Sequence, residues 1–231
     1  MFAFTNGVNL NGWLIPLPGV TPSLFYRFLD TNETTAAMDA WSICKILGPK
    51  DGNTFMQAHW DAWLTENDFK NLSASGVQMV RLPIGDWTLS PYSVYKGCMD
   101  GADKRVQWVL DTASYYNITV MIDVVGLKGS QNGLASSGLS HAVNWLTDTK
   151  FEHYGVQAPE WLGLWNLNTL SYCHINYDNL EWSLQVAESI LMKWGAHSQF
   201  AAFEPASGVV VSGDQDLTIL KDFYRQVRAM T

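Results

Sequence analysis

The chain has little of several things, and each scarcity excludes a class of protein. None of its 231 residues belongs to an apolar run of eighteen, so a membrane-spanning helix is not expected. The opening Met1-Phe2-Ala3-Phe4 has neither a basic start nor a long apolar stretch, so no secretion signal is expected within it. Positive charge is scarce: 14 Lys and Arg stand against 22 Asp and Glu, a formal net charge of -8. Such a surface repels phosphate backbones and argues against nucleic acid as a partner.

Cysteine is limited to Cys44, Cys98 and Cys173, too few for a dense disulfide framework and wrongly spaced for zinc. One bridge with one unpaired thiol fits the number. Cys44–Cys98 is the preferred pair, although spacing alone does not establish it. The histidines His59, His141, His153, His174 and His197 lack ligand spacing such as His-x-x-x-His, and no metal is expected. Gly126 and Gly129 do not form a dinucleotide or phosphate fingerprint, and no other cofactor signature is present. No motif around the serines supports a Ser–His–Asp triad.

Tryptophan, by contrast, is abundant, with eleven residues. Two readings stand side by side: large core filler, and flat platforms for the C–H faces of sugars. Three sequons, Asn32-Glu33-Thr34, Asn71-Leu72-Ser73 and Asn117-Ile118-Thr119, are compatible with passage through the secretory route.

The order of the chain is strand-like and helix-like stretches in alternation, read as one domain over residues 1–231. Phe4–Leu10 reads as a first strand, followed by a long irregular stretch. Thr65-Glu66-Asn67-Asp68 has the form of a capping box opening a helix to about Ala74. Val77–Leu82 reads as a second strand stopped by Pro83. Val106, Val109, Leu110 and Ala113 place a helix over Asp103–Tyr116. Thr119–Val125 reads as a buried parallel strand, with a Gly- and Ser-rich loop from Gly126 to about Leu139. Leu180, Leu184, Ala187, Leu191 and Trp194 mark a further helix, Phe200–Phe203 a fourth strand, and Leu217, Leu220, Phe223 and Val227 a last helix. Four strand–helix units imply a right-handed parallel α/β arrangement, either doubly wound or half of a (β/α)8 barrel.

Several blocks decide between these. Gly7-Val8-Asn9-Leu10-Asn11-Gly12-Trp13-Leu14 with Thr21-Pro22-Ser23-Leu24-Phe25, then His59-Trp60 and Thr65–Phe69, resemble the opening of exo-β-1,3-glucanases of glycoside hydrolase family 5. Val80-Arg81-Leu82-Pro83-Ile84-Gly85-Asp86-Trp87 is similar to the family's second strand, and Gly129-Ser130-Gln131-Asn132-Gly133 with Ser137-Gly138 to the loop after its third. Tyr95-Lys96-Gly97-Cys98 resembles oomycete-type members.

The resemblance implies the N-terminal half of a (β/α)8 barrel with its site at the C-terminal ends of the strands. It also implies retaining hydrolysis by two glutamates whose carboxyl groups lie about 5–5.5 Å apart. Arg81 stands where the family has the arginine that supports the nucleophile. Arg81, Trp87, Asn132 and Trp13 are the expected remnant of a carbohydrate site.

Other positions depart from the family pattern. Val125 replaces a histidine, Leu17 a sugar-binding glutamate and Gly19 a tryptophan. In Glu204-Pro205-Ala206-Ser207-Gly208, aligned on Glu-Pro-x-Asn-Glu-Pro, Ser207 replaces the asparagine and Gly208 the acid/base. Losing such a group costs about 10²–10⁴-fold in rate. A rival alignment makes Glu204 the acid/base. The chain stops at Thr231 before any seventh strand could supply the nucleophile.

The expectation is an inactive glucanase-like protein. The expected role is a structural subunit of an extracellular or cell-surface assembly. The alternatives to this reading are a β-1,3-glucan-binding or decoy protein and, against the loss of chemistry, an active exo-β-1,3-glucanase completed by another chain. An open inner face, expected to be apolar from Val80, Leu82, Val120 and Ile122, would be covered by a second copy or another chain.

Overall fold

The computed structural model describes residues 5–29, 36–147 and 153–231. Its elements in chain order are β1 (Gly7–Asn9), α1 (Pro22–Phe25), α2 (Ala40–Trp63), α3 (Glu66–Ala74), β2 (Met79–Gly85), α4 (Ala102–Tyr115) and β3 (Thr119–Gly126), then β4 (Val143–Leu146), β5 (Tyr154–Gln157), β6 (Gly163–Asn166), β7 (Ser171–Ile175), α5 (Tyr177–Trp194), β8 (Phe200–Glu204) and α6 (Asp214–Arg228). Strands β1, β2, β3 and β8 form one parallel sheet in that order. The architecture is that of a partial (β/α) barrel, with four strand–helix units and long loops.

Local signals explain most of these elements. Asp68 accepts the Thr65 N–H at 2.8 Å and the Thr65 hydroxyl at 2.7 Å, closing the start of α3. Val106, Val109, Leu110 and Ala113 lie on one face of α4, all fully buried. Parallel pairing without a hairpin requires covered crossovers, and α4, α5 and the α2–α3 pair provide them.

Three expectations are corrected. The stretch before Thr65 is not irregular but holds α2, capped by Asp39 accepting the Ser42 N–H at 2.7 Å. Its periodicity is interrupted at Gly48, whose φ is 72°, followed by Pro49, which disfavours helical backbone at the preceding residue. Two antiparallel hairpins, β4–β5 and β6–β7, occupy the segment after the Gly- and Ser-rich loop. The first strand is seen only as Gly7–Asn9, and the beginning of its expected span, with Phe4, lies outside the described residues.

The third correction concerns the faces of the sheet. Val80, Leu82, Val120 and Ile122 are fully buried, and the pairing of Val80 with Val120 and Leu82 with Ile122 puts them on one face, the face packed into the core. The opposite face carries Met79, Arg81 and Pro83 on β2 beside Thr119, Met121 and Asp123 on β3, with Glu204 paired to Asp123. Side chains alternate along a strand, so the apolar residues that signal the strands are those under the helices. The inner face is polar in part, with an arginine and two carboxylates.

Candidate functional site

The loops leaving the C-terminal ends of the sheet enclose a cleft of about 170 Å³. Leu17 from the segment after β1, Arg81 from β2, Val125 from β3, Asn132 from the following loop, and Ser207 and Gly208 after β8 all line it. The resemblance had assigned these six positions from separate parts of the sequence, and the fold brings them together. Glu204, the acid/base of the rival alignment, is not among the lining residues and pairs in register with Asp123 on the inner face.

Behind the lining residues Arg81 and Ser207 lies Asp123, which does not itself line the cleft. Its side chain is buried, forms an ion pair with the Arg81 guanidinium and accepts the Ser207 hydroxyl at 3.4 Å. Its other oxygen, Oδ1, has no partner. Burial pushes the Asp123 carboxyl up to about 6, with Arg81 opposing that rise and nearby Glu204 adding to it. Arg81, expected to support a nucleophile, has its Nη2 engaged with Asp123.

Gly208 adopts a φ of 66°, a left-handed backbone conformation in which a Cβ meets the following carbonyl oxygen. A Cβ built there would lie 3.4 Å from Asn132 Nδ2, so the obstacle to a side chain is conformational rather than spatial. Asn132 accepts the Leu134 N–H through Oδ1 at 2.9 Å, which braces its own loop while the residue stays half-buried at the cleft.

Gln131 has a role that sequence reasoning did not assign. Its Nε2 donates to the carbonyls of Val125 at 2.6 Å and Ser207 at 3.0 Å, and its own carbonyl accepts the Val210 N–H at 3.1 Å. It therefore ties the segment carrying Gly208 to the end of β3. Its Oε1 is buried without a partner. The signal was a polar residue set in the Gly-flanked motif Gly129–Gly133.

Trp13 and Trp87 do not belong to a sugar site. Trp13 is 1% exposed and its Nε1 donates to the Trp60 carbonyl at 2.9 Å. Trp87 is 2% exposed and stacks on Tyr95 at 3.9 Å. Its ring lies where a Cβ on Gly85, Gly126 or Gly138 would fall, within 2.5 Å. Both indoles are pillars of the core with no face open to a ligand. Trp60, Trp161 and Trp194 are also fully buried, so much of the tryptophan content is packing.

Beside the cleft, Asp86 accepts the Tyr92 hydroxyl at 2.7 Å, the Lys128 N–H at 2.8 Å and the Trp182 indole N–H at 3.2 Å. It joins the end of β2 to the loop after β3 and to α5. Burial drives its carboxyl up to about 7 against these donors. His59 is buried beside the Gly12 and Trp13 carbonyls, and burial lowers its pKa.

The disulfide joins Cys44 and Cys98, and Cys173 is free and exposed. Asn71 and Asn117 are exposed, whereas Asn32 lies outside the described residues. Among the described residues no cluster of His, Cys, Asp or Glu could hold a metal ion, and no helix is long and apolar enough to cross a membrane.

Parallel strands with covering helices and a cleft at the strand ends define a partial (β/α)8 barrel. Solved structures agree: the rutinosidase from Aspergillus niger aligns with 96% of this chain and 57% of its own at a TM-score of 0.70 and 19% identity. The structure titled AoRut does so with 98% and 59% at a TM-score of 0.66 and 20% identity. These likenesses establish the fold.

The sequence comparison adds relatives named glucan 1,3-β-glucosidase, exo-glucanases of glycoside hydrolase family 5, to which about 60% of the chain is similar. The probable glucan 1,3-β-glucosidase A of Aspergillus niger is 34% identical over 142 residues, 60% of this chain and 32% of the relative. The glucan 1,3-β-glucosidase of Lachancea kluyveri is 38% identical over 148 residues, 62% and 33%. That of Pichia angusta is 31% identical over 179 residues, 75% and 38%. The chain spans about a third of the length of these relatives, and no family model matches it.

Proposed function

We propose that this chain is a catalytically inactive, glucanase-like protein serving as a structural subunit of an extracellular or cell-surface assembly. The observation that carries the proposal is Gly208: standing where the resemblance puts the acid/base, it lines the cleft with no ionisable group and a left-handed backbone. A glycine cannot transfer a proton to a leaving oxygen, and proton transfer is what that position contributes in a retaining mechanism. Leu17 and Val125 give the cleft apolar walls, and at about 170 Å³ it is smaller than ordinary ligand pockets.

The structural role is supported by the outer edge of β8, which pairs only with β3 among the described residues and leaves Ala201 exposed. Unpaired strand edges are sites of association. The partner is a second copy or another chain laid against this side of the sheet. The Cys44–Cys98 bridge fits an oxidising compartment. Light scattering on the purified chain tests the role: a defined oligomer or a stable complex supports it, and a monodisperse monomer at micromolar concentration contradicts it.

A second reading, β-1,3-glucan binding without hydrolysis, is favoured by one observation. Asp123 Oδ1 and Gln131 Oε1 are buried acceptors without partners, and sugar hydroxyls are donors of the kind they lack. Calorimetric titration with laminari-oligosaccharides separates the readings, saturable heat favouring the second.

A further inference from the structure

We propose that Asn117 carries an N-linked glycan whose first sugar rests on the ring of Tyr115. Asn117 follows α4 with a φ of 53°. The Ile118 N–H donates to the Ala113 carbonyl at 3.0 Å and the Asn117 N–H to the Ser114 carbonyl at 3.4 Å. These two bonds are a Schellman cap, with Asn117 at the left-handed position where glycine is the usual residue.

The chain itself provides the comparison. At the end of α3 the same pair of bonds, Val77 N–H to Leu72 and Gly76 N–H to Ser73, both at 3.0 Å, places Gly76 at the left-handed position. Glycine meets the backbone requirement there, so the turn does not itself need a side chain at Asn117. What Asn117 adds is an exposed amide within Asn117-Ile118-Thr119, the acceptor tripeptide for N-glycosylation.

The second observation is Tyr115. It is 85% exposed and forms none of the ring pairs among the described residues. An aromatic ring left open two residues before the acceptor offers a flat apolar face to the C–H groups of an N-acetylglucosamine. The other described sequon differs at this point: Phe69, two residues before Asn71, is fully buried, and Asn71 lies inside α3. Asn117 leads directly into β3 at its N-terminal end, opposite the cleft, so a glycan there leaves the cleft and the C-terminal loops open.

The inference rests on the extracellular reading, and the test keeps the two apart. The full chain is expressed behind a cleavable leader in a eukaryotic secretory host, and the purified product is mapped by glycopeptide and non-reducing disulfide mass spectrometry. A hexosamine-bearing peptide containing Asn117 is expected, lost completely in Asn117→Gly. That variant folds normally because glycine suits the backbone. Tyr115→Ala is expected to keep the glycan but remove the rise in melting temperature that the glycan gives the parent over its enzymatically deglycosylated form. A bridged Cys44–Cys98 protein with bare Asn117 overturns the site and leaves the extracellular reading standing. Unbridged cysteines with bare Asn117 overturn both. A glycan whose stabilisation is unchanged in Tyr115→Ala overturns the role of the ring.

Discussion

At the scale of single residues, Gly208 and Asp86 show how backbone and burial govern chemistry. Restoring a carboxylate by Gly208→Glu places a side chain at φ 66°, a conformation costing about 1–2 kcal/mol for an L-residue. We expect Gly208→Glu to lower the stability measured by urea unfolding by about that amount and to release no reducing sugar from laminari-oligosaccharides. The reason is that Arg81 remains paired to Asp123 and Val125 still lines the cleft. Appearance of hydrolysis in this variant would show that one missing group is the whole deficit.

Asp86 and Asp123 titrate in the opposite sense from an ordinary ion-paired carboxylate. Both have folded-state values raised by burial, to about 7 and about 6, above the unfolded value near 4. The folded protein therefore holds these protons more tightly than the unfolded chain. Their contribution is fully present below about pH 4 and is lost as pH rises through about 6 and 7. We expect the unfolding free energy to fall between about pH 4 and about pH 7. In Asp86→Asn the upper part of that fall should disappear, because the variant no longer titrates there. A flat profile in the parent protein would contradict the assignment.

At the scale of elements, legibility in the sequence followed how local the cause was. Helices α4, α5 and α6 were readable because their apolar spacing lies within each segment, and α3 because its capping box does. The long helix α2 was not: Gly48-Pro49 cuts its pattern, and the segment before the cut is tied by the Cys44–Cys98 bridge to a segment 54 residues away. Gly52 lies against that bridge, where a Cβ would come within 2.6 Å of Cys98 Sγ.

Cys44→Ser with Cys98→Ser is expected to lower stability by about 2–4 kcal/mol, read as a lower melting temperature with helical circular dichroism retained below it. An unchanged melting temperature would mean that α2 is held by packing alone. The short hairpins β4–β5 and β6–β7 escaped for a different reason. Trp145 and Leu164 are largely exposed, so these strands show no clear alternation of buried and open positions.

At the scale of the whole molecule, the parallel order and the cleft were legible because strand, loop and site motifs recur in a fixed sequence. Leu17, Arg81, Val125, Asn132, Ser207 and Gly208 converge as the resemblance implied. Two things were not legible. Apolar strand residues do not tell which face of a sheet they cover, and so Val80 and Leu82 were assigned to the open face when they lie under the helices. Nor does the identity of a tryptophan tell its exposure: Trp13 and Trp87 sit in motifs near the site but serve the core beneath it.

The protein has a partial barrel fold whose cleft is lined by Gly208, Leu17 and Val125, and the proposed function takes these as positions that have lost chemistry and sugar contact. The most direct test of that account is incubation of the purified full chain with laminari-oligosaccharides at micromolar enzyme concentration, with released reducing ends followed over days. The account requires no release above the buffer control. Turnover that scales with protein concentration and vanishes in Glu204→Gln would contradict it, and would move the acid/base role from the Gly208 position to Glu204.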